Sequence, residues 1–228
     1  MKYSIKLNGV NNPEKSVKAF ATVTFGNCFK ITNIAVVKTK DGTPFVSMPS
    51  FKSKERNEHN QPVYKDVCNP ITSDFRKELY DDILALYGEM ERSEKSEVSK
   101  AEDHPEEPKF RVAVTPFERE GSNIRGLARI YFDDCFVVNN VSIIQGKESE
   151  FVAMPSYMVK QNGKDGKPQY QDVCFPVTKE FREKLYDGIM ECYQMEKTKI
   201  TNQKMKQTTS MRMERTEVSE KGMGLPFR

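Results

Sequence analysis

Cations recur in this sequence at a spacing suited to holding phosphate. Lys52, Lys54 and Arg56 alternate along one polar stretch, Lys65 closes it, and Arg76 and Lys77 open an apolar-striped segment soon after. Lys160, Lys164, Lys167, Lys179 and Arg182 fall in matching stretches later in the chain. Convergent ammonium and guanidinium groups neutralise a polyanion and release its counterions, and a helix N-terminus beside them adds backbone N–H donors. The plainer reading of lysines in a loop is a solvated surface, and the acids Glu55, Glu58, Asp74 and Glu180 among them favour it.

Other chemistry finds little footing. The two histidines, His59 and His104, lie near no cysteine or serine motif. The sequence contains no phosphate loop, nucleophile elbow or H-E-x-x-H run. Asp66 and Asp172 each precede a proline turn, where a single carboxylate serves as a structural acceptor. The five cysteines, Cys28, Cys68, Cys135, Cys174 and Cys192, are odd in number and form no C-x-x-C pair. They read as buried thiols on strands, with a redox or metal role as the alternative. No catalytic residue, metal site or cofactor is expected, and the chain does not read as an enzyme. It has no run of about 18 apolar residues, and its N-terminus lacks the apolar core of a signal peptide, so a cytoplasmic address without membrane contact is expected.

The elements that position these cations come in two copies. Phe45-Val46-Ser47-Met48-Pro49-Ser50 reappears as Phe151-Val152-Ala153-Met154-Pro155-Ser156, and Tyr64-Lys65-Asp66-Val67-Cys68-Asn69-Pro70 as Tyr170-Gln171-Asp172-Val173-Cys174-Phe175-Pro176. Cys28-Phe29 answers to Cys135-Phe136 with one residue lost in the turn between. The expected organisation is a first domain over 1–90, an acidic solvated linker over 91–109, a second domain over 110–196 and a basic, largely disordered tail over 197–228. Formal net charges over these segments are +3, −3, −2 and +5. With only 37% of residues hydrophobic, the cores must be small and the connecting segments solvated.

Within a copy, Val17, Ala19, Ala21, Val23 and Phe25 alternate as in a half-buried strand. Gly26-Asn27 turns the chain into a second strand over Cys28–Lys38, and a third over Phe45–Met48 stops at Pro49. Leu127–Phe132, Phe136–Ile144 and Phe151–Met154 repeat this, with Tyr3–Leu7 and Phe110–Val114 as leading strands. Phe51–Val63 and Tyr157–Gln169 read as mobile loops or hairpin arms. Thr72 or Ser73, and Thr178, stand at helix N-caps, followed by the stripes Phe75, Leu79, Ile83, Tyr87 and Phe181, Leu185, Ile189, Tyr193. The fold class is α+β, an antiparallel sheet with a C-terminal helix, twice.

Both copies resemble the SpoVG family, through CFVVNNVSIIQG, EFVAMPS and YQDVCFPVTKEFREKL in the second and CFKITNIAVVKTKDG, FVSMPSF and YKDVCNPITSDFRKEL in the first. The resemblance implies an antiparallel sheet with a C-terminal helix, association in pairs, and nucleic-acid binding in the regulation of gene expression. It also implies that Arg76 and Arg182 match an arginine of the family's helix. The chain departs from the family in fusing two copies. It also carries Phe51 and Tyr157 where the family often has a basic residue after M-P-S, the lysine coming only at Lys52. A tether of this length raises the effective concentration of one half for the other to about millimolar, so an intramolecular pseudo-dimer is expected. The expected partner is DNA or RNA, with further homo-dimerisation left open. The alternative is a protein-interaction or scaffold module that keeps the fold without binding nucleic acid.

Overall fold

The computed structural model describes residues 1–12, 14–101, 106–117, 119–159 and 168–221, with side chains except at 204 and 206–221. Each half begins with a three-stranded meander: β1 (Tyr3–Gly9), β2 (Val17–Phe25) and β3 (Phe29–Lys38) in the first, and β9 (Phe110–Pro116), β10 (Ile124–Phe132) and β11 (Phe136–Gln145) in the second. Ala19, Ala21, Val23 and Phe25 are all fully buried, as period-two alternation requires of one sheet face. The β2–β3 turn is Gly26-Asn27 with φ of 49° and 54°, and its counterpart is Asp133-Asp134 with φ of 44° and 49°. Two successive positive φ values give the twist that suits a tight hairpin. A Cβ at Gly26 would run into the Glu106 carbonyl, so glycine lets residue 106 pass close over this turn.

A fourth strand, β4 (Pro44–Ser47) or β12 (Glu150–Ala153), pairs back onto β3 or β11. A projecting hairpin follows in each half: β5 (Ser50–Arg56) with β6 (Pro62–Asp66), and β13 (Ser156–Met158) with β14 (Tyr170–Asp172). Next come the three-residue strands β7 (Cys68–Pro70) and β15 (Cys174–Pro176), which lead into α1 (Ser73–Ser93) and α2 (Lys179–Lys221).

The short strands change sides. β7 pairs with β11 of the second half, Cys68 opposite Val138 and Pro70 opposite Phe136. β15 pairs with β3 of the first, Cys174 opposite Ile31 and Pro176 opposite Phe29. Four backbone bonds of 2.8 Å complete the exchange: Thr32 N–H to Val173 O, Asn139 N–H to Val67 O, Ile71 N–H to Cys135 O, and Val177 N–H to Cys28 O. Asn33 and Asn140, with φ of 62° and 57°, sit where the β2–β3 and β10–β11 registers skip. Asparagine tolerates this left-handed conformation, and the resulting bulge turns a neighbouring N–H towards the incoming strand.

One core runs through both halves. The Phe25 ring meets Phe136 at 5.0 Å and Phe132 at 6.0 Å, and Phe29 meets Phe132 at 4.6 Å. The two helical stripes expected from the sequence are buried against it. At about 1.5–3 kcal/mol for each large apolar side chain buried, the shared phenylalanines alone bind the halves firmly.

Two expectations are corrected. The segment read as a solvated linker contains a strand, β8 (Glu97–Lys100), which pairs antiparallel with β1, Val98 opposite Leu7. Lys6 meets Glu97 at 2.9 Å and Lys100 meets Asp82 at 2.6 Å, so charges that looked like a solvated run fix this strand in place. The tail read as largely disordered continues α2 through its described part, to Lys221. Its first turns are rich in Lys, Gln and Met, good helix formers, and the Thr198 and Thr201 hydroxyls donate to the carbonyls of Gln194 and Lys197.

Candidate nucleic-acid interface

The first hairpin is a cationic projection whose register sets Ser50 opposite Asp66, Phe51 opposite Lys65 and Lys52 opposite Tyr64. Directly opposed residues share a face, so Lys52 and Tyr64 stand side by side. Tyr64 is 64% exposed, and Lys52 and Lys54 are exposed with no partner among the described residues to hold either ammonium. The other arm cations are engaged. Lys65 pairs with Glu55 at 2.6 Å, and Arg56 donates through Nη1 to the Asn60 carbonyl at 2.9 Å, closing the hairpin turn. His59 sits in that turn, where its N–H donates to the Asn57 side chain.

At the base of the arm, the helix-start arginines do something else. Arg76 donates through Nη2 to the Pro70 carbonyl at 2.9 Å, and Arg182 does the same to Pro176 at 3.3 Å. Each ties the end of an exchanged strand to the helix that follows it. Partial burial raises the carboxyl pKa of Asp66 and of Asp172, and the charge of Arg76 or Arg182 partly offsets the rise. Lys77 pairs with Asp81 at 2.5 Å and Lys179 with Glu183 at 3.7 Å, both on exposed helix surface. Thr178 Oγ1 accepts from the Phe181 N–H at 3.3 Å as an N-cap, whereas Thr72 stands at the N-cap without a side-chain bond. Of the eleven cations singled out from the sequence, the structure leaves Lys52 and Lys54 unengaged together on one strand. Lys160, Lys164 and Lys167 lie outside the described residues, as does His104.

The second hairpin has the same register with different chemistry. Ser156 is opposite Asp172, Tyr157 opposite Gln171 and Met158 opposite Tyr170. Met158, 61% exposed, takes the place of Lys52, beside Tyr170 at 68%. The Tyr157 hydroxyl donates to Gln171 at 2.8 Å. The exposed pair Tyr64 and Tyr170 is what charge reasoning overlooked. Its signal in the sequence was a repeated aromatic in a stretch too polar to bury it.

Among the described residues, no group of three His, Cys, Asp or Glu side chains is placed to hold a metal ion, and no helix is long and apolar enough to cross a membrane. All five cysteines are free, with Cys28, Cys68 and Cys174 buried.

Comparison with known proteins agrees with the repeat. The SpoVG family model matches twice, over residues 1–89 and 109–195. A Treponema denticola protein bearing the septation-protein name SpoVG is 39% identical over 80 residues, 35% of this chain and 77% of the relative. The Phytoplasma australiense protein of that name is 42% identical over 73 residues, 32% of this chain and 70% of its own length. The one from Archaeoglobus fulgidus is 35% identical over 72 residues, covering 32% and 78%.

Proposed function

The chain belongs to the SpoVG family, and from that premise we propose that it is a cytoplasmic nucleic-acid-binding protein regulating gene expression, with the two fused halves acting as one pseudo-dimeric unit. The observation that carries this reading is the first arm: Lys52 unengaged beside the exposed ring of Tyr64, with Lys54, also unengaged, two residues further along the same strand. Ammonium groups hold the phosphate backbone, while an exposed aromatic stacks on any base presented to it, whatever the sequence. Five free thiols suit a reducing compartment.

The test is binding of labelled DNA and RNA oligonucleotides, followed by fluorescence anisotropy across a salt series. Removing a cation that neutralises one phosphate reduces the slope of log affinity against log salt by about 0.9 on duplex DNA and about 0.7 on single strands. Substituting Lys52 and Lys54 together with alanine is expected to flatten the slope by about twice that amount. An unchanged slope removes the arm from the interface.

A second reading rests on the second arm. Met158 and Tyr170 form an exposed apolar pair where the first arm has Lys52 and Tyr64, and such a pair suits a protein partner. Full binding of nucleic acid by a Met158→Ser, Tyr170→Ser chain would leave that arm free for this use.

A further inference from the structure

The two sheets differ at one edge. In the first half, residues Lys2, Ser4, Lys6 and Asn8 of β1 face β2, as the Gly26 N–H to Lys2 O and Val10 N–H to Lys18 O bonds set the alternation. The backbones of Tyr3, Ile5, Leu7 and Gly9 therefore face outward, and β8 takes them up, Ile5 opposite Lys100, Leu7 opposite Val98, and Gly9 N–H on Ser96 O at 2.8 Å. In the second half, Asp133 N–H to Lys109 O and Phe117 N–H to Arg125 O set the same alternation. The backbones of Val112 and Val114 face outward there, and among the described residues β9 is the terminal strand of its sheet. The Val112 carbonyl accepts the Cys192 thiol, a weak donor, at 3.7 Å. An edge of this kind is a template for an added strand.

The chain carries a second copy of the strand that fills this edge in the first half. Arg92-Ser93-Glu94-Lys95-Ser96-Glu97-Val98-Ser99 leads into and through β8, and Arg212-Met213-Glu214-Arg215-Thr216-Glu217-Val218-Ser219 stands in the tail. The Arg, both Glu, Val and final Ser are identical, and Lys95 to Arg215 and Ser96 to Thr216 keep their character. The duplicated unit thus reaches past the helix, and the second copy differs by an insertion in the helical stretch before this motif. We propose that residues 217–220, the last turn of α2 in the structure, unwind together with 208–216 and add to β9 of their own chain as an antiparallel edge strand. Transferring the β1–β8 register sets Val218 opposite Val114 and Glu220 opposite Val112, with the Glu220 N–H replacing the Cys192 thiol at the Val112 carbonyl.

Helix chemistry and length both permit this. Thr208-Thr209-Ser210 are three poor helix formers in succession, so α2, helical through them to Lys221, is most easily unwound at this point. The position matching the end of α1 is about residue 199, and α2 unwound beyond Gln207 overshoots it by roughly 12 Å at 1.5 Å per residue. The nine residues 208–216 span up to about 30 Å when extended, enough to return. Tethering favours the chain's own tail over a second copy's.

The experiment is site-resolved amide hydrogen exchange by NMR on three proteins: the full chain, a chain ending at Thr216, and Val218→Pro, which removes the central donor. The Val112 and Val114 amides should exchange at least tenfold more slowly in the full chain than in the other two, at every protein concentration. The Asn139 and Thr32 amides, which donate across the strand exchange, should not change, showing that all three are folded. In the full chain, the Cα shifts of residues 217–219 should be those of extended backbone. Equal exchange in all three proteins, helical shifts at 217–219, or protection that disappears on dilution would each overturn the proposal, the last by assigning the edge to a second copy.

Discussion

The backbone N–H of Asn139 donates to the Val67 carbonyl at 2.8 Å, and so suspends the base of the first arm from the opposite half. The Asn139 side chain adds a bond to the Asp66 carbonyl at 3.3 Å. The second arm hangs the same way, with Thr32 donating to Val173 through both its N–H and its hydroxyl. Each hairpin is thus aimed by the half to which it does not belong.

If this exchange holds the molecule together, the covalent connection is dispensable once folding is complete. Replacing residues 102–105 with a protease site and cutting the folded protein should give fragments that co-elute in gel filtration and melt in one transition. Fragments that separate at micromolar concentration would show the junction to be weaker than its buried phenylalanines imply.

The bulge asparagines should resist substitution by branched residues. Asn140 has φ of +57°, which a Cβ-branched side chain tolerates badly. Asn140→Val should cost at least about 1–2 kcal/mol in urea denaturation, and Asn140→Gly much less. Equal costs for the two would mean that side-chain loss, not backbone conformation, sets the effect.

Arg76 and the arm lysines should separate cleanly. Arg76→Ala loses the bond to the Pro70 carbonyl and should lower stability by about 1 kcal/mol, leaving the salt dependence of nucleic-acid binding largely as it was. Lys52→Ala with Lys54→Ala should do the reverse. Chemical denaturation and salt-series anisotropy on both variants decide the matter, and a flattened salt slope in Arg76→Ala would return that arginine to the interface.

The Cys28 thiol should make stability fall in alkali. Burial, with the Glu107 carboxylate adding to it, pushes this thiol from 9.0 up to about 11. The folded state holds the proton more tightly than the unfolded state, so the contribution is complete below pH 9 and is lost as pH rises towards 11. Urea midpoints of the wild type and Cys28→Ala, compared from about pH 8 to 11, should converge as the wild type loses its advantage. Midpoints that stay a constant distance apart would contradict the shift.

Much of the fold was legible because it repeats. Period-two alternation gave β2, the i, i+4 stripes gave both helices, and the shift between copies placed the arms. The exchanged strands were not legible, since Cys68–Pro70 and Cys174–Pro176 are too short to show a period and each ends in proline, which alone reads as a turn. β8 was hidden by its composition, because Glu97 and Lys100 look solvated until Lys6 and Asp82 are known to face them. On the first arm, residue type picked out the cations but not which of them the fold already engages. Arg76 and Lys52 are both cations in sequence, and only the position of the Pro70 carbonyl tells them apart.

Lys52 on one hairpin and Met158 on the other occupy the same place in a backbone that is otherwise nearly two-fold. A true homodimer presents identical side chains at both ends and cannot tell which way round an elongated molecule lies across it. Fusion removes that constraint: a ligand that spanned both hairpins would meet an ammonium at one end and a thioether at the other, and could be read in a single direction.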